Sequence, residues 1–123
     1  MKILESAENY LETILVLRDK ITNVRSIDIA NELAFSKPSV SIAMKRLKEN
    51  GYITIDADGY IHLTEEGQAI ADRIYSRHQL ISQCLMLLGV DEETALQDAC
   101  RIEHVISEDS IQALRKHIEQ NSK

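Results

Sequence analysis

The chain has 123 residues, about the length of one domain, and its 44% hydrophobic and 28% charged content allows a buried core and a solvated surface. Four Tyr, one Phe and no Trp leave that core to aliphatic side chains, and one Pro with four Gly excludes a disordered linker or a collagen-like chain. The net charge of −6, from 14 Lys and Arg against 20 Asp and Glu, argues at face value against a nucleic-acid partner.

Apolar Leu4, Ala7, Leu11, Ile14, Leu15 and Leu17 recur near a 3.6-residue period and predict an amphipathic helix over 4–20, broken at Thr22-Asn23. Ser26 stands as the N-cap of a short helix through Leu33. Ser36-Lys37-Pro38 opens the next helix, a Ser cap followed by Pro, which runs to Asn50-Gly51 with Val40, Ala43, Met44 and Leu47 on one face. The runs 52–55 and 60–63 flank Asp56-Ala57-Asp58-Gly59 and predict a hairpin. A long helix follows from 64 to about Leu88. Asp91 caps another to about Ile106, and Ser107 caps a last one to about Glu119.

Two short helices joined by a tight turn and followed by a hairpin predict a winged helix-turn-helix. The expected fold is mainly α with a small β wing. A DNA-binding domain occupies 1–63 and a helical domain 64–123.

A recognition helix offers polar groups to the major groove from its first turns. Ser36, Lys37, Pro38, Ser39, Ser41, Ile42, Lys45 and Lys48 are placed to do so, with Arg25 ahead of the preceding helix as a further contact. Residues 37–50 carry Lys37, Lys45, Arg46 and Lys48 against Glu49, a net +3. For any one of these lysines, a solvated outer face is the simpler explanation; for the cluster, phosphate attraction is. Few side chains here suit bidentate base contacts, so phosphates and DNA shape are expected to carry much of the binding.

Cys100, Glu103 and His104 stand at i, i+3 and i+4, which puts them on one helical face with Cβ atoms about 5–6 Å apart. Thiolate, carboxylate and imidazole together suit a divalent transition metal. Each alone has a plainer reading: a buried small Cys, a surface Glu, a hydrogen-bonded core His. Three ligands on one helix seldom complete a site. His78 and Glu12 are the natural further donors.

The segment Asp98-Ala-Cys-Arg-Ile-Glu-His-Val-Ile-Ser107 resembles the metal-site helix of the diphtheria toxin repressor family, which includes iron-dependent repressors and manganese transport regulators. Glu8-Asn-Tyr-Leu-Glu-Thr-Ile14, Ser36-Lys-Pro-Ser-Val-Ser41, Leu63-Thr-Glu-Glu-Gly67, Arg77-His78 and Gly89-Val-Asp91 carry the same resemblance. It implies a homodimeric repressor, activated by metal, that binds a palindromic operator, with 64–123 as the metal-binding and dimerisation domain. Glu12, His78, Glu103 and His104 match ligands of the manganese type, and Cys100 matches the iron type. Asn9 stands where the family has Met or Asp. An ancillary site of the iron type would need a carboxylate at Ser82 and a His at Leu96, so it is expected to be absent. The resemblance is to the short form, without an SH3-like domain. The thiolate puts Fe(II) slightly ahead of Mn(II), while Glu12 and the short architecture lean the other way.

No apolar run approaches the roughly 18 residues of a membrane span, and Glu5 interrupts any signal-peptide stretch. The expected partners are operator DNA and a second copy, with no membrane and no small-molecule substrate. The expected location is cytoplasmic, with Cys84 and Cys100 reduced. An enzyme using Cys100 and His104 lacks an oxyanion loop or phosphate-binding turn. A winged-helix regulator sensing oxidants through a thiol is the alternative, and a protein that only dimerises is a further one. The charge divides unevenly: −1 over 1–63 and −5 over 64–123. The acidity therefore sits mostly away from the DNA-facing helix, where a divalent cation would neutralise part of it.

Overall fold

The computed structural model describes residues 5–121. Leu4, the first residue of the expected opening helix, lies outside them. The elements are α1 (Glu5–Ile21), α2 (Ser26–Leu33), α3 (Lys37–Glu49), β1 (Ile53–Ile55), β2 (Ile61–Leu63), α4 (Glu65–Leu87), α5 (Glu92–Ile102) and α6 (Glu108–Asn121). Helices with a two-stranded wing make up the fold, in the order expected. The chain packs as two compact units, the first through Asp72 and the second from Arg73. The first unit runs past Leu63 because the opening turns of α4 belong to its core, where Ala71 is fully buried.

In the first unit, Leu11, Ile14, Ile29, Val40, Met44, Ile53 and Ile61 form an aliphatic core shared by α1, α2, α3 and the hairpin. Tyr10 and Phe35 meet edge-on at 6.1 Å. Ser36 caps α3 by accepting from the Ser39 amide at 3.3 Å, and Pro38 sits in the first turn, as the sequence implies. The cap of α2 is different from the expected one. Ser26 is the first helical residue, and Arg25 is the N-cap, its amide donating to Asp28 Oδ2 at 2.9 Å. The acid three residues after the cap serves the cap residue's own amide, as in a capping box. Ala34 takes a left-handed conformation (φ 57°) at the end of α2 and so makes the tight turn into α3.

The hairpin is antiparallel with Ile53 opposite Leu63 and Ile55 opposite Ile61. Asp56 organises its loop. Its Oδ1 accepts from the Asp58 and Tyr60 amides at 2.9 and 3.0 Å, and its Oδ2 meets His62 Nε2 at 2.9 Å. His62 is the chief reason the Asp56 carboxyl sits below its usual range. Val24 bridges to Ile61 and lends the wing a short third edge, with the Ile61 amide donating to the Val24 carbonyl at 2.7 Å.

Thr64 joins the wing to α4. Its hydroxyl donates to the Gly51 carbonyl at 2.7 Å and accepts from the Gly67 amide at 3.2 Å. Gly67 is required by space: a Cβ there would overlap the Tyr52 carbonyl oxygen. In the second unit, Leu80, Ile81, Cys84, Ala99, Ile111 and Ile118 form a smaller core. Asp91 and Ser107 cap α5 and α6 by accepting from the Thr94 and Ser110 amides, each at 3.1 Å.

Gly67→Ala is expected to destabilise the first unit by about 1–3 kcal/mol, because the backbone of Tyr52 has to move. Urea denaturation followed by circular dichroism measures it. An unchanged midpoint would show that α4 and the wing separate without cost.

Candidate metal centre and nucleic-acid interface

Helix α5 ends at Ile102, earlier than expected, and residues 103–105 form a turn. Glu103 is the C-cap and keeps a helical backbone, its amide bonded to the Ala99 carbonyl at 3.0 Å. The break comes where Ser107 must be freed to cap α6. The predicted i, i+3 relation of Cys100 and Glu103 therefore survives, while His104 enters the turn.

Glu103 is the focus of the second unit. It has no exposed surface. Its Oε2 lies 3.1 Å from His78 Nδ1, and its Oε1 lies 3.4 Å from His104 Nε2. The donor atoms of His78, Cys100 and Glu103 all lie within 4.8 Å of one another. Cys100 is exposed and His78 is half-buried. The two histidines thus divide around one carboxylate, His78 at one oxygen and His104 at the other, with Cys100 grouped with His78.

These are ion-pair distances, poorly aligned for hydrogen bonding. His78 Nδ1 and both Glu103 oxygens are buried without a hydrogen-bond partner among the described residues. Donor atoms that converge without aligned hydrogen bonds suit a common ion, once His78 gives up its proton. At bond lengths of about 2.0–2.3 Å, two donors on one ion can be at most about twice that far apart. The one printed pair, His78 Nδ1 and Glu103 Oε2 at 3.1 Å, lies inside that limit. One thiolate, one imidazole and one carboxylate make a donor set for a divalent transition metal. The residues present fit such an ion.

Without metal, the cluster holds a proton. The adjacent Cys100 thiol and then the Glu103 carboxylate push the His78 pKa up to about 10, against the opposing effect of burial. The Tyr75 ring lies nearly parallel to the imidazole, 6.4 Å away. Asn9 and Glu12 belong to α1 in the first unit, Glu12 buried and Asn9 half-buried. The Ser82 hydroxyl is bound to the His78 and Gln79 carbonyls at 2.9 and 3.1 Å. Cys84 is a core residue whose burial raises its thiol pKa, which disfavours reactivity. Arg77 had no assigned role in the sequence. Its guanidinium binds the backbone of the turn that carries Glu103. Its acceptors there are main-chain carbonyls, which leave no trace in residue identity.

On α3, Val40, Met44 and Leu47 face the core. Lys37, Pro38, Ser39, Ser41, Ile42, Lys45 and Lys48 are all exposed. Ile42 is 57% exposed and lies opposite the buried face. The Ser36 hydroxyl, also exposed, is committed to its cap and to Ser39 Oγ at 2.7 Å. The Arg25 guanidinium lies 4.6 Å from the centre of the Tyr60 ring, so it leans on the wing.

Raised basicity at His78 makes metal and proton compete. Below about pH 10 the imidazole carries its proton in the metal-free protein, so metal affinity is expected to rise with pH up to that value. Calorimetry at pH 7.5 in buffers of different ionisation enthalpy is expected to show release of about one proton or more per metal. The same shift stabilises the metal-free fold fully below the unfolded pKa of about 6.5, and that contribution is lost as pH rises through about 10. Proton uptake, or no exchange, would contradict the site.

Residues 2–63 match the family model described as iron dependent repressor, N-terminal DNA binding domain, and residues 64–123 match its metal binding and dimerisation domain. The chain is 35% identical over 111 residues to the transcriptional regulator MntR of Escherichia coli O6:H1, covering 90% of this chain and 72% of that one. It is 33% identical over 109 residues to the iron-dependent repressor IdeR of Mycobacterium tuberculosis, covering 88% of this chain and 47% of that protein. The solved manganese regulator SloR superposes with a TM-score of 0.81 at 28% identity, over 92% of this chain and 53% of its own. Among the described residues no helix is long and apolar enough to cross a membrane. With both halves of the chain matched, it belongs to the iron-dependent repressor family of metal-dependent transcriptional regulators, which are not enzymes.

Proposed function

We propose that this chain is a homodimeric repressor that binds a palindromic operator when loaded with Fe(II) or Mn(II), and so controls metal uptake or homeostasis in the cytoplasm. The observation that carries the reading is the buried Glu103 carboxylate, whose two oxygens face His78 and His104 without hydrogen bonds. His78, Cys100 and Glu103 would hold the ion. His104 and, from the first unit, Glu12 and Asn9 join the ligand set through the family resemblance. Bound metal acts as an effector: it favours the conformation that presents two recognition helices to one operator.

DNA contact is assigned to the exposed face of α3, with Ser36, Lys37, Pro38, Ser39, Ser41, Ile42, Lys45 and Lys48, and to Arg25 beside the wing. Dimerisation is assigned to the second unit, where Leu87, Leu88 and Val105 are 63%, 79% and 73% exposed in the single chain. Among metals, the Cys100 thiolate favours Fe(II) over the oxygen-preferring Mn(II). A thiol-based redox regulator is the second reading, supported by the exposure of Cys100 beside His78.

Duplexes selected from a random pool by the metal-loaded protein provide the test. Operator binding is measured anaerobically with Fe(II), with Mn(II) and without metal. Both metals are expected to tighten binding by about 5–150-fold, Fe(II) at the lower concentration. Metal-independent binding would sink the metalloregulator, and activation by Mn(II) alone at micromolar levels would sink the thiolate preference. Cys100→Ser is expected to weaken or re-tune metal activation. A loss of peroxide response with unchanged metal dependence would instead favour redox sensing.

Joint Lys37→Glu and Lys45→Glu substitution is expected to weaken binding across all duplex sequences and to flatten its salt dependence. Gel-shift titrations at two salt concentrations measure both effects. Unchanged affinity would favour a protein that only dimerises.

A further inference from the structure

Arg77 is 12% exposed at its side chain and immediately precedes His78 on α4. Its Nη1 donates to the Glu103 carbonyl at 3.3 Å and to the Ile106 carbonyl at 2.9 Å. Its Nη2 donates to Glu108 Oε2 at 3.0 Å, at the start of α6. The Nε has no partner among the described residues, so the guanidinium is held through its two terminal nitrogens.

The acceptors explain why an arginine stands here. Glu103 is the C-cap and Ile106 lies in the turn beyond it, so no following helical amide serves either carbonyl. α5 stops at Ile102 and the chain turns through 103–107 before α6. That turn carries both Glu103 and His104. No glycine relieves it, and no left-handed residue closes it. One cation from α4 serves two of its carbonyls. A planar fork can span them, whereas a lysine is a point charge.

The placement couples the turn to the metal ligands. His78 is the next residue along α4, and Glu103 is the residue whose carbonyl Arg77 holds. A shift of the turn therefore moves the Glu103 carboxylate relative to the His78 imidazole. Metal donors tolerate only about ±0.2 Å. The ion pair with Glu108 is a lesser matter, since that carboxylate is 62% exposed and screened by water.

We propose that Arg77 is a positioning residue for the metal centre: by clamping the carbonyls of Glu103 and Ile106, it sets the distance between the His78 and Glu103 donors before metal arrives. The inference rests on the metal-binding reading above. It adds a residue that touches no metal and acts through the backbone.

Titration of the full-length reduced protein with Co(II) tests it, read by the thiolate-to-cobalt charge-transfer band. Arg77→Ala is expected to weaken Co(II) binding by about 10–100-fold, the range for residues that orient ligands, and to alter the ligand-field spectrum. Glu108→Gln keeps the carbonyl clamp and is expected to leave affinity within about threefold, as an exposed pair should. In the metal-free protein, the Val105 and Ile106 amides are expected to exchange hydrogen faster in Arg77→Ala than in the parent. If that variant fails to fold, Arg77→Lys decides, and it too is expected to lose affinity. Parent-like affinity and spectrum in a folded Arg77 variant would overturn the proposal. An equal loss in Glu108→Gln would also overturn it, by assigning the effect to the ion pair. Failure of the parent protein to bind Co(II) would overturn the metal-binding reading and this inference with it.

Discussion

A carboxylate with no exposed surface is costly unless charge or metal meets it. Glu103 is that group, and the second unit is arranged around it. α4 brings His78 to one oxygen, and the turn after α5 brings His104 to the other. α5 itself supplies Cys100. In the metal-free state a proton on His78 offsets the buried charge. His78, Cys100 and Glu103 would hold a divalent ion there, which would supply the positive charge in place of that proton. Burial therefore makes this carboxylate depend on a nearby positive charge.

The first unit meets a different constraint: close backbone approach. Tyr52 and Gly67 can be neighbours only because Gly67 lacks a Cβ, and Thr64 fastens the same junction from its side chain. The wing and the start of α4 are held as one piece with the core beneath α3. This leaves the outer face of α3 free of packing duties. Its lysines stand in a domain of near-neutral charge while the acidity lies beyond residue 63. Local field, not total charge, governs attraction to phosphate, so an acidic chain can still present a locally basic helix.

Much of this was written locally. Caps at Ser36, Asp91 and Ser107 act where their residue types imply, because a side-chain oxygen serving a nearby amide needs no distant partner. Leu11, Ile14, Leu15 and Leu17 of α1 and Val40, Met44 and Leu47 of α3 follow helical spacing and are buried. Arg25 in place of Ser26 as the cap of α2 shows the limit. The cap falls where the backbone leaves helical angles, and that residue is Arg25, at φ −118°.

The candidate donors could be named from spacing and family pattern, since ligand chemistry resides in side-chain identity. Their grouping could not. A regular helix would set Cys100, Glu103 and His104 on one face; the early end of α5 instead puts Glu103 at the centre and divides the others around it. Arg77 was equally hidden, because it acts on main-chain carbonyls that every sequence possesses. Sequence by itself determined the elements, their caps and the chemical kinds of donor, all of which depend on neighbours within a turn or two. Only the tertiary structure decided which lone pairs converge and what holds them there. Those depend on helices distant in sequence being packed to within a few tenths of an ångström.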